Sequence, residues 1–253
     1  MIKTETDGPV TRVILNRPEK RNAITGEMIA GLGEAVAQAE ADPNCRCLVL
    51  SGAGGHFAAG RDLGDASADT PLADVLAYDD AYTDIFQMLR RSAKPSVAVV
   101  EGYAVAGGFT IAMGCDFVLA ERGARFGALE MRGGFPAAVN TAVLSHLVGP
   151  RQALELLLSV DMFDAEHLYR VGLVNALADG AEDLAAKAAA FTAGLTALDP
   201  IAVKLTKETH RATQAMPLAE ALVMGKQLNS LLMTSGKIDE AAEHFARSQA
   251  TRG

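Results

Sequence analysis

Residues 96–120 read SVAVVEGYAVAGGFTIAMGCDFVLA. The run at 96–100 is apolar and rich in β-branched residues, follows Pro95, and reads as a buried strand. Glycines then give way to an apolar segment starting near Phe109 that reads as a buried helix, and residues 117–120 return as a strand. A strand, glycine loop, helix, strand order points to an α/β fold with crossover connections and a parallel sheet.

The flanking sequence repeats this grammar. Residues 10–16 form a β-rich run ending in the turn-like Asn16-Arg17-Pro18-Glu19. Met28, Ile29, Leu32, Ala35, Val36 and Ala39 recur at helical spacing until Asp42-Pro43, where proline disfavours further helix. Residues 47–50 are a short apolar strand opening into SGAGGHFAAGRDL at 51–63. Small polar residues at 65–70 read as a mobile loop before a helix over about 72–91. The remainder is mainly helical. Pro150, Pro200 and Pro217 suit first helical turns, and Asp164 and Asp199 suit N-caps. Composition divides the chain into a core at 1–195 and a helical oligomerisation segment at 196–253.

The 253 residues are 49% hydrophobic and 21% charged, ample for a core without metal or disulfide staples. A net charge of −8 and a pI near 5.2 lack the basic footprint of a nucleic-acid binder. Cys45, Cys47 and Cys115 read as reduced thiols, the first two alternating in a strand. No apolar stretch has membrane-spanning or secretory length, so a soluble, cytoplasmic protein is expected. Among nucleotide and hydrolase motifs, Phe57 replaces the third glycine of a dinucleotide loop after Gly52 and Gly54. Glu220 and Leu231 stand where a P-loop before Gly225-Lys226 or Gly236-Lys237 needs glycine. There is no G-x-S-x-G elbow, no H-E-x-x-H, and the five histidines fall at no ligand spacing, so no metal is expected. What remains is a pair of glycine loops, each after a buried strand. Such loops bring backbone N–H groups close to a ligand, and two converging N–H groups at a helix N-terminus would stabilise an oxyanion.

In order and spacing, LNRPEKRNAIT (15–25), FAAGRDL (57–63), GYAVAGGFTIAMGCDFVLA (102–120), ARFGALE (124–130), GPRQALELLL (149–158) and VGLVNAL (171–177) resemble the crotonase superfamily of enoyl-CoA hydratases and isomerases. The resemblance implies a spiral of strand-strand-helix turns with a C-terminal helical trimerisation segment. It also implies an acyl-CoA thioester substrate, with coenzyme A part of the substrate and no separate cofactor, and a homotrimer or dimer of trimers. The two oxyanion donors fall on the backbone N–H groups of Arg61 and Gly107. In place of the family's glycine triplet stands Ala106-Gly107-Gly108, which keeps the donor at the expense of a methyl group's room. The family's usual first carboxylate position is Thr110, which cannot take a proton at neutral pH and can only orient water or substrate. The second is Glu130, the one surviving acid/base, among small and apolar neighbours. Lys20, Arg21 and Ala23 match the loop beside coenzyme A, and Ala59, Asp62 and Leu63 belong to the same binding region. Taken singly, Lys20 and Arg21 also read as solvated charges. Arg61 has a second reading, its guanidinium on a substrate carboxylate or phosphate. The resemblance favours hydration as the reaction. A single carboxylate suits a double-bond shift, and a non-catalytic acyl-CoA binder is the alternative of a different class.

Overall fold

The computed structural model describes residues 1–62, 64, 67 and 69–234. Leu63, residues 65, 66 and 68 of the expected loop, and the expected helical sequence beyond residue 234 lie outside the described residues. The chain divides into two compact units, Met1–Lys204 and Leu205–Gly253.

In the first unit β1 (Ile2–Asp7) pairs antiparallel with β2 (Val10–Leu15). The sheet continues in parallel through β3 (Cys47–Gly52), β4 (Ser96–Val100), β6 (Phe117–Glu121) and β9 (Ala176–Ala178). β1 was not expected: IKTETD is polar and almost wholly exposed, an edge strand held by β2 through a turn at Gly8, whose φ is +56°. The central strands are buried on both faces, which is why they read as unbroken apolar runs. Val49, Val97 and Leu119 pack with Leu184 and Ala188 of α7 (Ala181–Thr196). Leu48, Leu50, Ala98, Val100, Val118 and Ala120 face the main core on the other side.

A second sheet has three short strands, β5 (Tyr103–Val105), β7 (Arg125–Gly127) and β8 (Phe163–Asp164). Two isolated parallel bridges, Ala58 to Ala104 and Ile24 to Arg61, extend its pattern. The chain therefore makes successive turns: a strand in the large sheet, a short extended pairing, then a helix. β2, Ile24 and α1 (Gly26–Ala41) form the first; β3, Ala58 and α2 (Leu72–Arg91) the second. β4, β5 and α3 (Gly107–Gly114) form the third; β6, β7 and α4 (Ala138–Leu147) the fourth. This is the spiral that the resemblance implied.

α1 buries the six residues whose spacing announced it, and Thr25 caps its start by accepting from Met28 N at 3.2 Å. At its other end the Lys94 ammonium donates to the carbonyls of Ala39, Glu40 and Asp42. Pro150 and Pro200 open α5 (Pro150–Leu158) and α8 (Pro200–Thr213), as expected. Pro217 instead occupies the N-cap of α9 (Leu218–Met233), one residue before the first turn. Asp164 caps α6 (Ala165–Arg170), accepting from His167 N at 2.7 Å, and Asp199 accepts from Ala202 N at 2.8 Å. All three cysteines are buried and none is in a disulfide; Cys47 opens β3, and Cys45 lies before the strand instead of alternating within it. Among the described residues no single helix is long and apolar enough to cross a membrane.

Candidate active site

Two loops meet edge to edge. Ala59 N donates to Arg21 O at 3.0 Å, Ile24 N to Gly60 O at 2.7 Å, and Asp62 N to Ile24 O at 2.8 Å. Lys20, Arg21, Ala23, Ala59 and Asp62 are thereby gathered along one seam. Lys20 and Arg21 are exposed, and the Arg21 guanidinium lies 5.6 Å from the centroid of Tyr103, whose other partner is the stacked ring of His56. The seam is pinned from below by two residues that the sequence reading passed over. Asn22 is fully buried at φ +56°, accepts from Arg17 N at 2.8 Å, and donates to Ala53 O at 2.9 Å and His56 O at 2.7 Å. Asparagine tolerates that left-handed backbone and supplies both donor and acceptor. Arg17 donates to Ala23 O at 3.2 Å and to Asp62 Oδ2 at 2.5 Å. The Arg17 hydrogen bond, with a second from Gly64 N, holds the Asp62 carboxyl below the usual carboxylate range.

Backbone geometry then brings two amides to one niche. In the parallel bridge between Ile24 and Arg61, the bonds run through Gly60 O and Asp62 N, so the N–H of Arg61 itself faces the opposite side. On that side α3 begins. Gly107 is its first residue, and its N–H lies outside the intrahelical ladder. Ala106 sits at φ +48° and ψ −121°. Its carbonyl accepts from Thr110 N at 3.1 Å, Thr110 Oγ1 at 3.2 Å and Asn140 Nδ2 at 3.2 Å. Because the peptide is planar and trans, the Gly107 N–H points away from that anchored carbonyl. A Cβ placed on Gly107 would stand 3.8 Å from Arg61 N, and one on Gly60 3.7 Å from Gly107 N. Gly60, at φ +92°, and Gly108 permit the approach: a Cβ on Gly108 would fall 2.5 Å from Ala58 O.

Beside the niche stands Glu130, half-buried, at the start of a single 3-10 turn (Glu130–Gly133). Its Oε1 accepts from Asn140 Nδ2 at 2.8 Å; Oε2 is buried without a hydrogen-bond partner. Asn140, on α4, is 1% exposed. Thr110 is also 1% exposed, and its hydroxyl donates to the Ala106 carbonyl. Tyr82, projecting from α2, donates to Gly107 O at 2.8 Å and neighbours both Thr110 and Glu130. Burial pushes the Tyr82 phenol well above its usual range, so it stays neutral. The Arg61 guanidinium lies over the Tyr78 ring at 3.7 Å from its centroid and 3.6 Å from Asp79, with Nε buried and unpartnered. The spiral thus brings Arg61, Gly107, Thr110 and Glu130 together, and adds Tyr82 and Asn140, which the sequence reading missed. The signal for Asn140 was a single amide within the small and apolar run 135–144; Tyr82 was hidden in the periodic apolar face of α2. Among the described residues no three His, Cys, Asp or Glu side chains cluster as metal ligands.

A spiral of strand pairs and helices carrying such a niche is the crotonase architecture. The crystal structure of an enoyl-CoA hydratase from Mycobacterium smegmatis superposes with a TM-score of 0.90 at 26% identity, covering 97% of this chain and 96% of that one. The chain belongs to the enoyl-CoA hydratase/isomerase family, whose pattern matches residues 5–251. Relatives differ in reaction. An enoyl-CoA hydratase of Mycobacterium tuberculosis is 32% identical over 250 residues, 97% of this chain and 93% of its own length. A 1,2-epoxyphenylacetyl-CoA isomerase of Escherichia coli is 34% identical over 194 residues, 73% of this chain and 74% of its own.

Proposed function

We propose that this protein is an acyl-CoA enzyme that forms a thioester enolate, with hydration of an enoyl-CoA as its leading reaction. The observation that carries the reading is the convergence of the Arg61 and Gly107 amides beside the half-buried Glu130. The two N–H groups bind the thioester oxygen and strengthen as negative charge develops there, aided by the N-terminal dipole of α3. In hydration Glu130 takes a proton from water, hydroxide adds to the β-carbon, and the proton is returned to the α-carbon of the enolate. Lys20 and Arg21 meet the phosphates of coenzyme A, while Ala23, Ala59 and Asp62 frame its passage. A charge-based contact of this kind weakens as salt rises. The segment at 196–253 serves assembly into a homotrimer or dimer of trimers.

Double-bond isomerisation is the second reading, supported by the side chain at position 110. With the Thr110 hydroxyl donated to Ala106 O, one carboxylate serves every proton step, removing a proton at one carbon and returning it at another. Absorbance of the conjugated thioester separates the two: hydration of crotonyl-CoA bleaches it, and conversion of a 3-enoyl-CoA creates it. Glu130→Gln is expected to lower kcat by roughly two to four decades with KM little changed. A wild-type protein that binds either thioester and alters neither chromophore would instead be a non-catalytic binder.

A further inference from the structure

We infer that Asn140 is a positioning residue that divides the work of the Glu130 carboxylate, holding Oε1 as an acceptor and leaving Oε2 to take and return the proton. The inference rests on the acid/base role proposed above for Glu130. The orientation of the Asn140 amide is decided by its second partner. Ala106 O is a carbonyl and can only accept, so the group 3.2 Å from it must be the NH2; a flipped amide would set two acceptor oxygens against each other. The same NH2 is 2.8 Å from Glu130 Oε1. It can donate there and cannot accept, so a proton on Oε1 would confront an N–H. A proton on Oε2 meets no such conflict, because that oxygen has no hydrogen-bond partner.

Two further observations separate this role from simple packing. The Ala106 carbonyl already accepts from the amide and hydroxyl of Thr110, so the link to Glu130 is what Asn140 alone adds. Asn140 Oδ1 is buried without a partner, an arrangement that costs stability. An apolar residue in this small and apolar stretch of α4 would avoid that cost, so the amide is kept for what it does to Glu130.

A double-mutant cycle with Glu130→Gln tests the inference, using crotonyl-CoA and a 3-enoyl-CoA as probes and reading kcat and KM separately. Asn140→Ala is expected to lower kcat roughly 10- to 100-fold, as misplacement of a reacting group does, and to leave KM within about threefold. In the Glu130→Gln background the same substitution should change kcat by less than about threefold, because the residue it acts through is already disabled. Asn140→Leu, close in size but with no N–H to give, should be no better than alanine, and it serves if the alanine variant fails to fold. A wild-type rate in either Asn140 variant, or an equal loss in both backgrounds, overturns the inference and leaves Glu130 as acid/base intact. A wild-type protein that converts neither thioester overturns the functional reading and the inference with it.

Discussion

Ala106 bears the conformational cost of the amide niche. Its φ of +48° and ψ of −121° lie where only glycine is comfortable, and the strain is held by the bond from Ala106 N to Gly127 O at one end and three donors on its carbonyl at the other. The resemblance led us to expect that alanine here costs only a methyl group's room; the geometry adds backbone strain of about 1–3 kcal/mol. Ala106→Gly is therefore expected to raise unfolding stability by about 1 kcal/mol, after subtracting the extra freedom that glycine gives the unfolded chain. Urea denaturation would measure this, and a loss of stability would contradict the strain argument. Asn22 shows the contrasting solution, a residue that tolerates positive φ and engages both its amide NH2 and its amide oxygen in hydrogen bonds.

Between elements, the seam joining residues 20–24 to 59–62 carries one ion pair, Arg17 to Asp62, beside its backbone ladder. The Arg17 bond lowers the Asp62 carboxyl in the folded state, so the folded form binds fewer protons than the unfolded chain in the acid range. The stabilisation is therefore present above the ordinary carboxylate range and is lost as pH falls through the lowered folded value. Asp62→Asn should melt below the wild type at neutral pH, and the gap should close as pH falls below the ordinary carboxylate range and wild-type Asp62 takes up its proton. A gap that is constant with pH would assign the effect to shape alone. The approach of α3 to Ala58 depends on geometry of another kind, since the absent Cβ of Gly108 is what lets the helix start against that carbonyl.

For the whole molecule, α9 presents Leu218, Leu222, Val223 and Leu231 as exposed apolar residues, more than a solvated helix needs. Burial between copies is the economical use of such a surface, and light scattering at micromolar concentration should give the mass of three or six chains of 26.4 kDa. A sharp monomer mass would refute the trimer. The long elements could be read in advance because their information is local: six apolar residues at helical spacing make α1, and runs buried on both faces make β3, β4 and β6. β1, β5, β7 and β8 could not, being either polar or two to three residues long, and they exist because a partner strand already stands beside them. The same division runs through the site. Arg61, Gly107, Thr110 and Glu130 could be picked out in the sequence through the family resemblance that their motifs carry, and the fold brings them to one place. Asn140 and Tyr82 belong to helices whose local pattern is only apolar periodicity. Their polar atoms gain a purpose when the spiral stacks α2, α3 and α4 around one carboxylate, a juxtaposition of residues far apart in the chain that only tertiary packing can supply.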